Sequence, residues 1–321
     1  MNTVAFLSPV QAQLQLIEAR LHAQAGERHP DLRAALEQIL AAGGKRIRPT
    51  ICLLVGNMLG APEDKLVTLG AAVELLHTAT LVHDDLIDGS LLRRGMPTLN
   101  ARWSPAATVL TGDFLFARAA KLAAETDHLP LINAFAETLA IIVNGELNQM
   151  FSSRGVINRE NYYQRIYAKT ASLFEMSSRA AAMMSPADAA SIETMREFGL
   201  ETGISFQIVD DILDFTGEQT AMGKPIGSDL LNGLVTLPAI YYAEAFPDDD
   251  DVQSLSEGSW ANQERMIRLV ESIRKTDAVK KAMAEANQHS ELALQALRRI
   301  DASPERDALE NLAKFIVDRK V

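Results

Sequence analysis

Apolar residues recur at every third or fourth position along most of the chain, which is the period of an amphipathic α-helix. The stretch Val10–Leu21 has this spacing. Serine is favoured as a helix N-cap and proline at the first helical position, so Ser8 and Pro9 predict where the first helix begins. Gly26 predicts where it ends. The same pattern predicts a second helix over residues 31–42.

Long helices are also predicted further along the chain. No proline occurs between Pro130 and Pro186, where alanine, leucine, glutamate and methionine are common, and a helical pattern continues over residues 187–215. A run of four aspartates, at 248–251, is predicted to be a solvated loop. Since alternating strand patterns are scarce, we expect an all-α fold. It would be a single domain over residues 1–321, with its helices packed around a central cavity.

The composition is that of a soluble globular protein. Of 321 residues, 47% are hydrophobic, which excludes a disordered chain. The formal net charge of −11 argues against binding to nucleic-acid phosphates and suits a protein that concentrates divalent cations. Cys52 is the one cysteine, which excludes an internal disulfide. We expect a cytoplasmic protein, because the N-terminus has no signal-peptide pattern and no apolar run is long enough to span a membrane.

Two DDxxD motifs follow apolar helical stretches. Residues four apart lie on one face of a helix, so Asp84 and Asp88 are expected to project together, as are Asp210 and Asp214. Carboxylates are ligands for Mg²⁺, which also takes phosphate oxygens, so the expected ligand is a diphosphate bridged to the protein by Mg²⁺. One such motif in an acidic protein is more often a charged helix end. Two copies beside apolar residues favour a metal site, since unpaired carboxylates near a core are unfavourable.

Basic residues form a second pattern. Residues 43–49 are a glycine-led turn that carries three cations, and Arg93 and Arg94 follow the first aspartate motif, with Lys169 and Lys224 further along. Arginine and lysine both bind phosphate oxygens. A turn of this kind is most often only a solvated loop. Beside two metal-type motifs, however, it favours a second anionic ligand.

Taken together, these motifs resemble the trans-type (head-to-tail) isoprenyl diphosphate synthases, in particular the polyprenyl and octaprenyl diphosphate synthases. The matching segments appear in the family's order: GGKRIRP, ELLHTATLVHDDLIDGSLLRRG, GEL, KTASLF, GISFQIVDDILDFTGE and GKPIGSDLLNGLVTLP. The resemblance implies an all-helical, isoprenoid-synthase-like homodimer that depends on Mg²⁺. Such an enzyme adds isopentenyl diphosphate to an allylic diphosphate.

The resemblance also implies roles for individual residues. The Mg²⁺ ions, three per site, would be held by Asp84, Asp88 and Asp210, with outer-shell support from Asp85, Asp211 and Asp214. The allylic diphosphate would be bound by Arg93, Lys169, Gln207 and Lys224. The isopentenyl diphosphate would be bound by Lys45, Arg48, His77 and Arg94. Further family positions near the reacting ends are Thr170, Phe206 and Asp229.

One residue departs from the family's pattern, and two others have a structural interpretation. Leu234 stands where the family often has a lysine, so one cation of the allylic site is missing, and its loss weakens binding by about 1.5–3 kcal/mol. For His83 we expect a packed, hydrogen-bonded structural role. Phe206 belongs to the core by its spacing, and only the resemblance makes it a site residue.

The length of the product should depend on the tunnel below the first aspartate motif. Ala79 and Thr80 lie about one helical turn before Asp84, and both side chains are small, so a growing tail could pass. Burying each added five-carbon unit contributes about 4 kcal/mol of apolar transfer free energy. We therefore expect a product of C20 or longer, in the C30–C50 range of quinone side chains. The alternative for Ala79 is a simple contact between helices.

Other readings of the sequence stay open. A terpene cyclase would share the aspartate motifs but has little use for a separate isopentenyl diphosphate pocket. A non-catalytic partner subunit of a prenyl synthase, or an acidic cation-binding protein, is the alternative from another class. Contact with a membrane during product release is a further expectation.

Overall fold

The computed structural model describes residues 5–26, 29–41, 44–93, 95–152, 155–216 and 226–319. Three residues used in the sequence predictions, Gly43, Arg94 and Lys224, lie outside this part of the chain. The fold is all-α, as predicted.

The chain divides into two compact units. The first consists of Met1–Thr138, Leu173–Arg196 and Leu297–Asn311, and the second of Leu139–Ser172, Glu197–Ala296 and Leu312–Val321. The single domain expected over residues 1–321 stays a prediction.

The first half of the chain contains six α-helices and a short hairpin within the described residues. A 3₁₀-helix, Ala5–Val10, is followed by α1 (Gln11–His22), α2 (Pro30–Ala41), α3 (Ile47–Leu59), α4 (Glu63–Ile87), β1 (Leu92–Arg93), β2 (Met96–Pro97), α5 (Pro105–Glu125) and α6 (Leu129–Ser152). The two strands pair antiparallel, with Leu92 opposite Pro97.

The second half is likewise helical. Its first elements in chain order are α7 (Arg159–Ile166), a π-helical segment (Tyr167–Ala171), α8 (Ser172–Met183) and α9 (Ala189–Thr216). They are followed by α10 (Ser228–Leu231), α11 (Leu237–Ala245), α12 (Asp250–Ser256), a 3₁₀ turn (Ser259–Ala261), α13 (Gln263–Arg274), α14 (Ala278–Leu297) and α15 (Pro304–Val317). The helices predicted over residues 31–42 and 187–215 are confirmed as α2 and α9.

Two local predictions are wrong. Ser8 does not cap the first α-helix, because Pro9 lies inside the 3₁₀-helix and Val10 is the N-cap residue of α1. The φ that proline fixes, about −65°, is also that of a 3₁₀-helix, so Pro9 fits there although it lacks an N–H to donate. The aspartate run is not simply a loop: Asp249 accepts hydrogen bonds from the backbone N–H groups of Asp251 and Val252 and thereby caps α12.

The core of the first unit is built around α4. Most of this helix is buried, and it packs against α1, α3 and α5. It is the one described helix long and apolar enough to cross a membrane, but 78% of the relevant window is buried inside the protein, as in the core helix of a globular fold. A buried apolar helix of this kind fixes the position of the polar residues at its end.

A close helix contact supports the structural role predicted for His83. A Cβ atom at Gly112 of α5 would lie 2.1 Å from Nε2 of His83, so only glycine allows this approach. The same nitrogen lies 3.1 Å from the carbonyl oxygen of Val109, and the ring packs edge-on against Phe116. The structural prediction for His83 is confirmed.

The core of the second unit surrounds α9. Its apolar face, with Ile208, Ile212 and Phe215 fully buried, forms one hydrophobic cluster with buried side chains of α11 and α13. As in α4, the buried face leaves the polar residues of the last turns in a defined orientation.

Candidate functional site

The first aspartate motif lies at the C-terminal end of α4. The backbone N–H of Asp88, the C-cap residue, donates to the carbonyl oxygen of Asp84 at 2.8 Å, so the two residues are one helical turn apart, as predicted. Asp84 is half-buried and Asp88 is exposed. A helix C-terminus carries a partial negative charge, so aspartates there are unfavourable by themselves and favour a bound cation.

Between these residues, Asp85 is buried and paired with Arg93 of the hairpin. Nε of Arg93 donates to both carboxylate oxygens, at 2.9 and 3.0 Å, and Nη2 lies 2.8 Å from Oδ1. The pair fixes the hairpin against α4. About 38% of the Arg93 side chain stays exposed, which leaves part of the guanidinium accessible to an anion.

A pocket of about 80 Å³ lies in the first unit beside this pair. Helices α2 and α4 and the hairpin line it, and three of the predicted site residues face it: His77, Asp85 and Arg93. Lys45 and Arg48 are not among its lining residues. Lys45 is exposed, and the guanidinium of Arg48 stacks over the ring of Phe174 at 4.6 Å.

Arg46, in the same basic turn, has a role that the sequence predictions missed. Its Nη1 lies 2.5 Å from Glu74, and two further nitrogens donate to Glu18. Its φ of 47° is left-handed, a conformation uncommon outside glycine. Arg46 therefore anchors the turn that presents Lys45, and this could be recognised only from the positions of Glu18 and Glu74.

The second aspartate motif lies in the last two turns of α9. Asp210 has 39% of its side chain exposed, and its Oδ1 lies 2.8 Å from Nη1 of Arg319. Arg319 lies two residues beyond the end of the last described helix, α15. The structure places it on Asp210.

Asp211 is buried in a hydrogen-bond network of the second unit. Its carboxylate accepts from the hydroxyl of Tyr162 at 2.7 Å and from Nε2 of Gln207 at 2.8 Å, and Thr170 donates to the Gln207 amide oxygen at 2.5 Å. Burial, and then the charge of Asp229, raises the pKa of Asp211 to about 7. The network fixes Gln207 and Thr170, two of the predicted substrate-binding residues.

Asp214 connects α9 to the segment that follows the undescribed residues. Oδ1 accepts from the N–H and the hydroxyl of Ser228, at 3.1 and 2.9 Å, and Oδ2 accepts from the N–H of Asp229 at 3.1 Å. Its side chain is buried. Asp214 thus holds the start of α10, a structural task that the sequence predictions did not include.

Lys169 lies in the π-helical segment, and its Nζ is 3.2 Å from the carboxylate of Glu146, in the GEL segment of α6. π-Helical turns are rare overall, but those that occur are often found at functional sites. About 34% of the Lys169 side chain is exposed. Glu146 therefore orients a predicted phosphate-binding cation.

The structure also describes the surroundings of four further positions named in the sequence analysis. The guanidinium carbon of Arg319 lies over the Phe206 ring, 4.1 Å from its centroid. The backbone N–H of Leu234 donates to the carbonyl oxygen of Asp229 at 2.8 Å. Ala79 is fully buried. Thr80 is half-buried and donates to the carbonyl oxygen of His77 at 2.7 Å.

Each aspartate motif, taken by itself, offers oxygen donors that suit Mg²⁺ bound together with a diphosphate. No group of three or more His, Cys, Asp or Glu residues in the described part of the chain could hold a metal unaided. The accessible donors are all carboxylates, Asp84 and Asp88 in the first unit and Asp210 in the second. Mg²⁺ prefers oxygen ligands and usually keeps several waters or takes phosphate oxygens in addition to one or two carboxylates, so a sparse, oxygen-only set is suitable.

Comparisons with known proteins agree with this description. Residues 29–273 match the family model described as polyprenyl synthetase. A nonaprenyl diphosphate synthase of Rhodobacter capsulatus is 38% identical over 88% of this chain and 87% of its own length. The heptaprenyl diphosphate synthase component 2 of Bacillus subtilis is 34% identical over 96% of this chain and 88% of its own length.

A solved structure is similar along the whole chain. It is that of a polyprenyl synthase from Caulobacter crescentus, complexed with calcium and isoprenyl diphosphate, with a TM-score of 0.91 and 34% sequence identity. The match covers 99% of this chain and 98% of that one.

Proposed function

The chain belongs to the polyprenyl synthetase family, and from this premise we propose how its residues perform the reaction. It is a trans-prenyltransferase that makes a medium- or long-chain trans-polyprenyl diphosphate from isopentenyl diphosphate and an allylic diphosphate. Enzymes of the family use a divalent metal, typically Mg²⁺. The observation that carries the proposal is the placement of Asp84 and Asp88 one turn apart at the end of the buried helix α4.

We assign Mg²⁺, three ions per site, to Asp84, Asp88 and Asp210. When bound, Mg²⁺ neutralises the diphosphate and stabilises its departure as a leaving group. Asp85 and Asp211 orient neighbouring side chains, since their oxygens already accept hydrogen bonds from Arg93, Tyr162 and Gln207. Asp214 supports the site by holding α10.

The basic residues bind the two diphosphates. Arg93 and Lys169 each have an exposed part and a carboxylate partner that fixes their direction, so they bind the allylic diphosphate without a large loss of side-chain entropy. Gln207 supports them. Lys45, Arg48 and His77 bind isopentenyl diphosphate, and Arg94 and Lys224, outside the described residues, have the roles implied by the family.

The chemistry follows from this charge arrangement. The allylic carbon–oxygen bond breaks, the double bond of isopentenyl diphosphate attacks the resulting cation, and a carbon–carbon bond forms. The proton lost in the last step goes to the released diphosphate, because the sequence motifs offer no Asp or Glu outside the proposed metal set as an obvious base. Water must be excluded, since it would quench the cation.

We propose a product of C30–C50. Ala79 and Thr80 remain the proposed chain-length residues, and their small side chains on α4 support this. The names of the relatives, heptaprenyl and nonaprenyl diphosphate synthases, support the same range. We also propose a cytoplasmic enzyme that contacts membranes when it releases its product.

Assembly into a homodimer is supported by an apolar stripe on α6. Val143, Leu147, Met150 and Phe151 lie on the surface at successive spacings of four, three and one, and 77% of Phe151 is exposed. The name "component 2" of the Bacillus subtilis relative favours a second candidate, an active subunit that requires a different partner chain. The mass of the purified protein in solution, with activity measured on the same sample, separates these candidates.

The test of the function is a prenyl-transfer assay. The purified chain is incubated with labelled isopentenyl diphosphate, an allylic primer and Mg²⁺, and the products are separated by chromatography. We expect products of C30–C50, and loss of turnover in Asp84→Asn and Asp210→Asn but not in the exposed control Asp277→Asn. If elongation needs an added partner chain, the second candidate is correct; if the aspartate variants stay fully active, the site assignment is wrong.

A further inference from the structure

Arg319, the last residue that the structure describes, has a defined place on the second aspartate motif. Its Nη1 lies 2.8 Å from Oδ1 of Asp210, and its Nη2 donates to the carbonyl oxygen of Phe206 at 3.1 Å. The guanidinium carbon is 4.1 Å from the centroid of the Phe206 ring. Only 11% of the Arg319 side chain is exposed, although the residue is near the end of the chain.

These contacts exceed what a helix end requires. Nε of Arg319 donates to the carbonyl oxygen of Ile316 at 3.1 Å, and this bond alone would satisfy a carbonyl group in the last turn of α15. The stacking on Phe206 and the ion pair with Asp210 add nothing to that cap. Instead, they hold a cation on the residue that we assign as a metal ligand.

We propose that Arg319 is a positioning residue that competes with Mg²⁺ for Asp210. The proposal rests on the proposed function, in which Asp210 binds the metal. Mg²⁺ needs direct contact with a carboxylate oxygen at about 2.1 Å, and Oδ1 of Asp210 is the atom that Arg319 holds. Two cations at one oxygen repel each other, and more strongly in a partly buried site than in water.

The competition connects the end of the chain to metal binding. When Asp210 takes Mg²⁺ with a diphosphate, Arg319 leaves its oxygen, and the C-terminal segment (residues 312–319) loses one of the contacts that fix its end. Arg319 therefore sets the Mg²⁺ concentration at which the second aspartate motif is occupied. Before the metal arrives, Arg319 supplies a cationic partner to the Asp210 carboxylate.

The first test is isothermal titration of Mg²⁺ into the full chain in the presence of inorganic pyrophosphate. In Arg319→Ala the half-saturating Mg²⁺ concentration should fall by about threefold to tenfold, as expected for the loss of a partly exposed ion pair. The matched control is Arg268→Ala. It removes an ion pair of the same length, 2.8 Å to Asp251, in the same unit, and should leave Mg²⁺ binding unchanged.

Asp210→Asn in the same titration tests the assignment of Asp210 as a metal ligand separately from the competition by Arg319. If it leaves Mg²⁺ binding at the wild-type level, Asp210 is not a ligand, and both the assignment and the competition are wrong. If it weakens Mg²⁺ binding while Arg319→Ala leaves it unchanged or weaker, only the competition is wrong. Tighter binding in Arg319→Ala, with the control unchanged, supports the proposal.

A second measurement needs no variant. Hydrogen exchange of the unmodified chain is followed in residues 312–319, first without ligands and then with Mg²⁺ and inorganic pyrophosphate. The proposal expects faster exchange in the C-terminal segment when both are present, and no change with pyrophosphate and EDTA. Equal or slower exchange with Mg²⁺ and pyrophosphate would mean that Arg319 stays on Asp210, which overturns the proposal.

Discussion

Replacing Asp214 by asparagine should destabilise the protein even when no metal can bind. The carboxylate of Asp214 is buried and accepts three hydrogen bonds, two on Oδ1 from Ser228 and one on Oδ2 from the backbone N–H of Asp229. An asparagine keeps an acceptor for Ser228, but its NH₂ group then faces the N–H of Asp229. One charge-assisted hydrogen bond is lost and two donors oppose each other.

The magnitude follows from these contacts. A hydrogen bond to a charged group contributes about 1.5–3 kcal/mol, and a buried donor without a partner costs about 1–3 kcal/mol. Since the two effects overlap at one atom pair, we expect the free energy of unfolding to fall by about 2–4 kcal/mol. The matched control is Asp88→Asn, at an exposed residue one position beyond α4, for which a change within about 0.5 kcal/mol is expected.

The assay is urea unfolding followed by circular dichroism in buffer with EDTA, so that a metal-binding role contributes nothing. A loss for Asp214→Asn as small as that for Asp88→Asn would refute the structural role of Asp214. Asp214 would then be assigned as a metal ligand instead.

Three further predictions concern the site. Leu234→Lys restores the cation that the family often has at this position. Since a hydrogen bond to a charged group contributes about 1.5–3 kcal/mol, the apparent affinity for the allylic substrate should rise by about tenfold or more in steady-state assays. An unchanged affinity would mean that other residues already compensate for the missing cation. Ala79→Phe should shorten the products seen by chromatography, and an unchanged product distribution would remove Ala79 from the chain-length residues. Because burial raises the pKa of Asp211 to about 7, from 3.8, the folded state binds more protons than the unfolded state between these values. In EDTA the free energy of unfolding should therefore fall as the pH rises from about 4 to about 7, by a few kcal/mol, and this fall should vanish in Asp211→Asn.

The helices and the chemistry of the aspartate motifs could be read from the sequence because both are local. Apolar spacing predicted α9, and the four-residue spacing of Asp84 and Asp88 predicted that they lie one turn apart. Errors arose where a short-range preference has two solutions. Ser8 and Pro9 have the residue types of a helix start, but a 3₁₀ turn uses them equally well.

The sequence by itself determined which residues can bind a metal and a diphosphate, since that depends on residue type and on spacing within one helix. Only the tertiary structure decided which carboxylates are already engaged. Asp85, Asp211 and Asp214 have the same chemistry as their neighbours, but Arg93, Tyr162 and Ser228 come to them from other segments. The same holds for Arg319, which is 109 positions from Asp210. Partners this far apart in the chain are chosen by packing, and no local pattern encodes them.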